Sequence, residues 1–135
     1  MIKPSEHFTI EELTKTQQKL LNAPSWEQCI NLCCLAHYIL EPLREKLGQP
    51  VIINSAFRSP AVNKAVGGVP NSQHMTGCAA DIRVTSMEHG MKMFKIVTSL
   101  KYADQVLFEH NGKTRWLHVS FSYTPRKLFN PNYKV

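Results

Sequence analysis

The sequence predicts an α+β domain with helices packed on a small antiparallel sheet, and three observations carry that expectation. Two capping patterns open helical stretches in the first third of the chain. Short β-branched and aromatic runs follow, two of them flanking Asn111-Gly112. Neither linker, repeat nor low-complexity segment interrupts the 135 residues, which are enough for one domain with its own core.

In chain order, Thr9-Ile10-Glu11-Glu12 places Glu three residues after Thr, the capping box that starts a short helix. Ser25-Trp26-Glu27-Gln28 repeats the signal. Apolar Ile30, Cys33, Leu40, Leu43 and Leu47 keep helical spacing to Gly48 and Pro50, with a kink expected at Pro42. Val51 to Asn54 reads as a buried strand. Ser59-Pro60 opens a short helix that Gly67-Gly68 closes, and a loop carrying Ser72 and His74 leads to a strand at Asp81-Ile82-Arg83-Val84. Ser86 begins a helix to about Ser99, with Met87, Met91, Phe94, Val97 and Leu100 facing inward as core residues. Gln105 to Glu109 and Arg115 to Phe121 then form a hairpin around Asn111-Gly112.

Composition narrows the function. With 43% hydrophobic and 19% charged residues the chain is an ordinary globular domain, expected to be a monomer, and not a disordered one. A net charge of +6 favours anionic partners, but the basic residues are dispersed. Arg126 to Lys134 reads as a short basic tail, so nucleic-acid binding is not expected. No apolar run reaches the roughly 20 residues of a membrane span. The start of the chain lacks a hydrophobic signal core, so the expectation is a protein cytoplasmic as made and released to the cell wall, if at all, by a separate route. Cys33 and Cys34 are adjacent, which suits reduced thiols better than a disulfide framework. Cys29, Cys33 and His37 share one helix face, where core packing is expected in preference to a second metal site.

The residues with chemistry are His74, Asp81 and His118. Two imidazoles and a carboxylate fill three corners of a tetrahedron and leave the fourth for water, as in a hydrolytic zinc site. Asp81 lies in the apolar run Ala79-Ala80-Asp81-Ile82, where an unpaired carboxylate is costly. It needs a cation, and a metal, Arg58 or Arg83 would each serve.

Three ordered segments then bear on that choice: Ser55-Ala56-Phe57-Arg58-Ser59-Pro60, Asn63 to Gly68, and Ser72-Gln73-His74 through Ala80-Asp81-Ile82. Together they resemble the zinc D-alanyl-D-alanine carboxypeptidase family, murein peptidases that include phage endopeptidases cutting L-alanyl-D-glutamate bonds and whose fold is similar to the hedgehog signalling domain. The resemblance runs from about Phe8 to Phe121 and is densest from Asn54 to Ile82. It implies one zinc per chain on His74, Asp81 and His118, with Arg58 and Ser72 beside the substrate and peptidoglycan stem peptides as that substrate. A prophage or mobile-element origin is compatible with it. Arg58, through its planar fork, suits a substrate carboxylate, with an Asp81 salt bridge as its alternative.

Hydrolysis also needs a general base, and Glu109 is the candidate. Relatives often carry an acidic residue three positions before the last histidine, or a histidine two before it; here those are Arg115 and Trp116. These departures favour an alternative, a catalytically impaired zinc-containing module that binds cell wall. A two-residue turn would pair Glu109 with Thr114, whereas a wider loop would set it opposite Trp116 and diagonal to His118. His110, next in sequence, is the reserve candidate for proton transfer.

Overall fold

Both capping boxes form. In the computed structural model, which describes residues 3–135, the Thr9 and Ser25 side chains accept from the backbone N–H three residues on, and Glu12 and Gln28 reach back to the caps. Helices α1 (Ile10–Leu13) and α2 (Trp26–Leu35) therefore begin with orphan donors satisfied. The long helix does not run straight through a kink. A π-helical turn, Ala36–Leu40, separates α2 from α3 (Glu41–Leu47). Pro42 accounts for the break, because it has no N–H to give Tyr38 and its ring crowds that carbonyl; widening the turn before it relieves both.

The face buried by these helices differs in part from the expected one. Leu32, Leu35, Ala36, Ile39, Leu40, Leu43 and Leu47 line the core, while Ile30 is exposed. Cys29 and Cys33 are half-buried and His37 is exposed, so this row is not the core packing expected of it. Helical spacing alone does not say which of two adjacent apolar rows meets the sheet, and Trp26, Ile30 and Cys33 belong to the outer one. All four thiols are free.

Five strands form one sheet in the order β1-β2-β4-β3-β5. These are β1 (Ile53–Ser55), β2 (Ala79–Arg83), β3 (Ala103–His110), β4 (Arg115–Phe121) and β5 (Leu128–Lys134). Neighbours among β1 to β4 are antiparallel, and β5 runs parallel to β3. Two expectations need correcting here. The strand placed at Val51 to Asn54 starts later and is an edge strand, with Ile52 46% exposed. The basic tail is a second edge strand. Pro131 hid it, yet a proline is tolerated at an edge, and the β3–β5 register slips between Leu107 and Glu109, opposite that proline.

Helix α4 (Pro60–Ala65) follows β1, and α5 (Met87–Thr98), capped by Ser86, packs on the sheet through Gly90, Met93 and Val97. Met87, expected inside, is at the exposed first position. One sheet face carries Ala80, Ile82, Val106, Phe108, Leu117 and Val119 into the core with α2, α3 and α5. The alternate residues Asp81, Glu109, Trp116 and His118 lie on the other face, which the helices leave open. Among the described residues no helix is long and apolar enough to cross a membrane.

Candidate metal centre

Asp81 and His118 are direct cross-strand partners in the β2–β4 ladder, so strand register alone brings them together on the open face. His118 Nδ1 lies 3.0 Å from Asp81 Oδ1. His74 arrives from a different element, a 3₁₀ turn over Gln73–Thr76 whose cap is Ser72, the Oγ of which accepts from the His74 N–H at 3.1 Å. Gly77 ends that turn at φ 84. A Cβ there would also press on the Gln28 carbonyl, so glycine lets the loop sit against α2. His74 Nδ1 is 2.7 Å from the Ala56 carbonyl oxygen, which can only accept. Nδ1 therefore donates to that carbonyl, which leaves Nε2, 3.3 Å from Asp81 Oδ1, as the nitrogen that could hold a metal.

These three atoms fit zinc. A tetrahedral ion with ligands at about 2.0–2.1 Å separates neighbouring ligand atoms by about 3.3 Å. The observed Asp81 separations are 3.3 and 3.0 Å, and all three atoms lie within 4.8 Å of one another. A set of two imidazole nitrogens and a carboxylate oxygen suits that ion. Asp81 is ready to bind as the anion: burial pushes its pKa up, but His74 and His118 outweigh burial and hold the carboxyl well below the ordinary range.

The other cation open to Asp81 is present too, on its second oxygen. Arg58 donates through Nη2 to Asp81 Oδ2 at 3.0 Å, through Nε to Ser55 Oγ at 3.0 Å and through Nη1 to Asn63 Oδ1 at 3.3 Å. Metal ligation and salt bridge are thus compatible roles for one carboxylate. Three of the five guanidinium N–H groups are engaged. Arg83 stands exposed and away from this contact. Cys78, near the ligand loop, is half-buried, and burial pushes its thiol pKa up, as suits a packing residue.

Glu109 pairs with Trp116, the wider-loop register, because the strands stop at His110 and resume at Arg115. Asn111 closes the loop through its Oδ1, which accepts from the Thr114 N–H at 2.9 Å. The Glu109 carboxylate, diagonal to the last ligand, comes within 3.7 Å of His118 Nδ1. Burial raises its pKa and the Asp81 charge adds to that; His118, the Trp116 indole N–H and Arg58 pull the other way without cancelling the rise. Arg115 is on the opposite face, its guanidinium 5.5 Å from the Phe108 ring. His110 shares that parity and lines a separate cleft with Ser86, Lys113 and Arg115, so the structure does not bring it to the ligands.

One network was missed in the sequence. Asp104, almost fully buried, accepts from Gln73 Nε2 at 3.1 Å and from Arg126 through its backbone N and its guanidinium, at 2.6 and 2.7 Å. It ties β5 to the residue just before His74. The one available signal was scarcity, since Asp104 and Asp81 are the only aspartates in the chain.

Comparison with known proteins gives a family and a partial relative. The family described as Peptidase M15 matches residues 6–120. The chain is also 46% identical over 44 residues to a zinc D-Ala-D-Ala carboxypeptidase from Streptomyces albus G. That stretch covers 32% of this chain and 17% of the length of that relative.

Proposed function

The chain belongs to the peptidase M15 family of zinc peptidases, and from that premise we propose that it hydrolyses peptide bonds in peptidoglycan stem peptides, as a D-Ala-D-Ala carboxypeptidase or a related murein endopeptidase. One zinc ion per chain would be its cofactor, held by His74, Asp81 and His118. The observation that carries this reading is the convergence of those three residues with the Glu109 carboxylate beside them. Zinc in such a site supplies Lewis acidity, lowering the pKa of water and polarising a carbonyl.

The chain's own residues do the rest. Glu109 takes a proton from the attacking water and returns it to the leaving amine, and a pKa raised by burial moves a carboxylate toward the neutral range in which such a shuttle works best. Arg58 holds Asp81 and offers its two remaining N–H groups to a substrate carboxylate. Ser72, whose oxygen caps the His74 turn, keeps its hydroxyl hydrogen for the substrate. The net charge of +6 suits anionic wall peptides.

A zinc-holding module that binds without cutting is the second reading, favoured by Trp116 standing where relatives carry a histidine. Purified, zinc-loaded protein incubated with muropeptides separates the two. Release of D-alanine or of cleaved stem peptides, abolished by a chelator and restored by zinc, is the expected result. Muropeptides that are bound but left whole would overturn the peptidase reading.

A further inference from the structure

The segment Asn63 to Gly68 supplies neither a metal ligand nor a base, yet its first residue reaches Arg58 from helix α4. Asn63 is buried, only 3% exposed, and both ends of its amide are engaged. Oδ1 accepts from Arg58 Nη1 at 3.3 Å, and Nδ2 donates to the Val69 carbonyl at 2.9 Å. The second bond orients the first, because a donor committed to a carbonyl leaves the acceptor end facing the guanidinium. The Val69 carbonyl also accepts from the Ser72 N–H at 3.2 Å, and the Arg58 N–H donates to the His74 carbonyl at 3.0 Å. One buried amide thus joins the guanidinium to the loop that carries the first ligand.

Gly68 makes room for this contact. Its backbone is not among the left-handed glycines, so space and not conformation requires it. A Cβ there would overlap Asn63 Oδ1 and stand 3.1 Å from Arg58 Nη1, inside the bond between them. With Nε on Ser55 Oγ and Nη2 on Asp81 Oδ2, Asn63 is the partner that anchors Nη1. One N–H on Nη1 and one on Nη2 are left over. Removing Asn63 would free Nη1 while Asp81 keeps its salt bridge.

We propose that Asn63 is a positioning residue for substrate recognition: seated in the space that Gly68 leaves, it anchors Arg58 Nη1 so that the two free N–H groups meet a substrate carboxylate as one planar fork. This rests on the peptidase reading above for the identity of that carboxylate. Two measurements on the full chain test it. In the first, the Arg58 Nε–H resonance of metal-free, nitrogen-15-labelled protein, assigned by its loss in Arg58→Ala, reports how firmly the guanidinium is held. It should be sharp in the wild type and broadened or lost in Asn63→Ala and in Gly68→Ala. The glycine variant removes no hydrogen-bonding group, so it carries the test if Asn63→Ala does not fold.

In the second, zinc-loaded protein cuts a stem pentapeptide whose C-terminus is either a free carboxylate or an amide. Each variant should raise KM for the free acid by about tenfold and move KM for the amide far less, with the loss on KM and not on kcat. In an Arg58→Ala background Asn63→Ala should add nothing to that discrimination, since two residues acting through one group are not additive. A resonance as sharp in both variants as in the wild type would overturn the proposal, as would an equal rise in KM for acid and amide, or an Asn63→Ala effect on discrimination that persists without Arg58. The two proposals fail separately. A wild-type protein that cuts nothing sinks the peptidase reading, while the resonance still reports the anchor; a wild-type protein that cuts the peptide, with both variants matching it in KM and in resonance, sinks the positioning role alone.

Discussion

Asp81 is the residue on which the candidate site converges, because its two oxygens face different partners. Oδ1 faces both imidazoles and Oδ2 takes Arg58. Removing Arg58 should therefore show in metal affinity before it shows in substrate binding. Arg58→Ala is expected to weaken zinc about 10–100-fold, the usual effect of losing a group that orients a ligand, which competition with a chelator measures. Unchanged zinc affinity with a raised KM for peptides ending in a free carboxylate would make Arg58 a substrate contact only. Glu109→Gln keeps size and polarity but removes the base, so zinc should remain while kcat falls by about 10²–10⁴-fold in single-turnover assays. A drop below that range would take Glu109 out of the proton path. At this scale the sequence was readable where a rare side chain stood in a telling context: Asp81 in its apolar run, His74 in the loop ahead of it, and His118 in a strand. The Ala56 carbonyl that fixes the His74 tautomer carries no side-chain signal. Gln73 looked like any loop glutamine until the fold set Asp104 behind it.

The elements divide by how local their causes are. Capping boxes at Thr9 and Ser25, and the stop at Gly48, depend on residues within one turn, so they could be read directly. The π-turn ahead of Pro42 and the strand β5 could not, since one depends on how a proline's strain is relieved and the other on a partner strand already in place. Helix α5 holds a test of packing against propensity. Gly90 lies mid-helix, where alanine would ordinarily gain about 1 kcal/mol. Here, however, an added Cβ would run into the Phe108 ring, a fully buried core residue in β3. Overpacking a core costs about 1–3 kcal/mol, so the clash should win and Gly90→Ala should destabilise the domain. Urea unfolding decides this through its midpoint, and a stabilised variant would mean that the ring moves aside freely.

For the molecule as a whole, the site is assembled from parts far apart in sequence, and a single buried carboxylate joins two of them. Asp104 holds Arg126, at the entry to β5, and Gln73, beside the first ligand. Burial pushes its pKa up, but the hydrogen bonds from Arg126 and Gln73 prevail and leave it below the ordinary carboxylate value. A carboxyl with a depressed folded-state pKa binds fewer protons in the native than in the unfolded state. Its contribution is thus fully present above the unfolded value of about 4 and is lost as pH falls through the lower folded one. Metal-free protein should accordingly keep its melting temperature from neutral pH down to about 5 and lose it steeply below about 4. Arg126→Gln removes the charged partner and leaves Asp104 buried with weaker donors, which should destabilise the fold at neutral pH by about 1–3 kcal/mol. It should also flatten the acid limb, because Asp104 then has a less depressed pKa to lose. Equal acid slopes in the two proteins would mean that other carboxylates, such as Glu41 under its hydrogen bonds from His7, set the acid limb instead. Zinc affinity supplies the second readout: if the Asp104 link positions the ligand turn, Arg126→Gln weakens zinc as well as the fold, and if it only fastens β5, the metal is untouched.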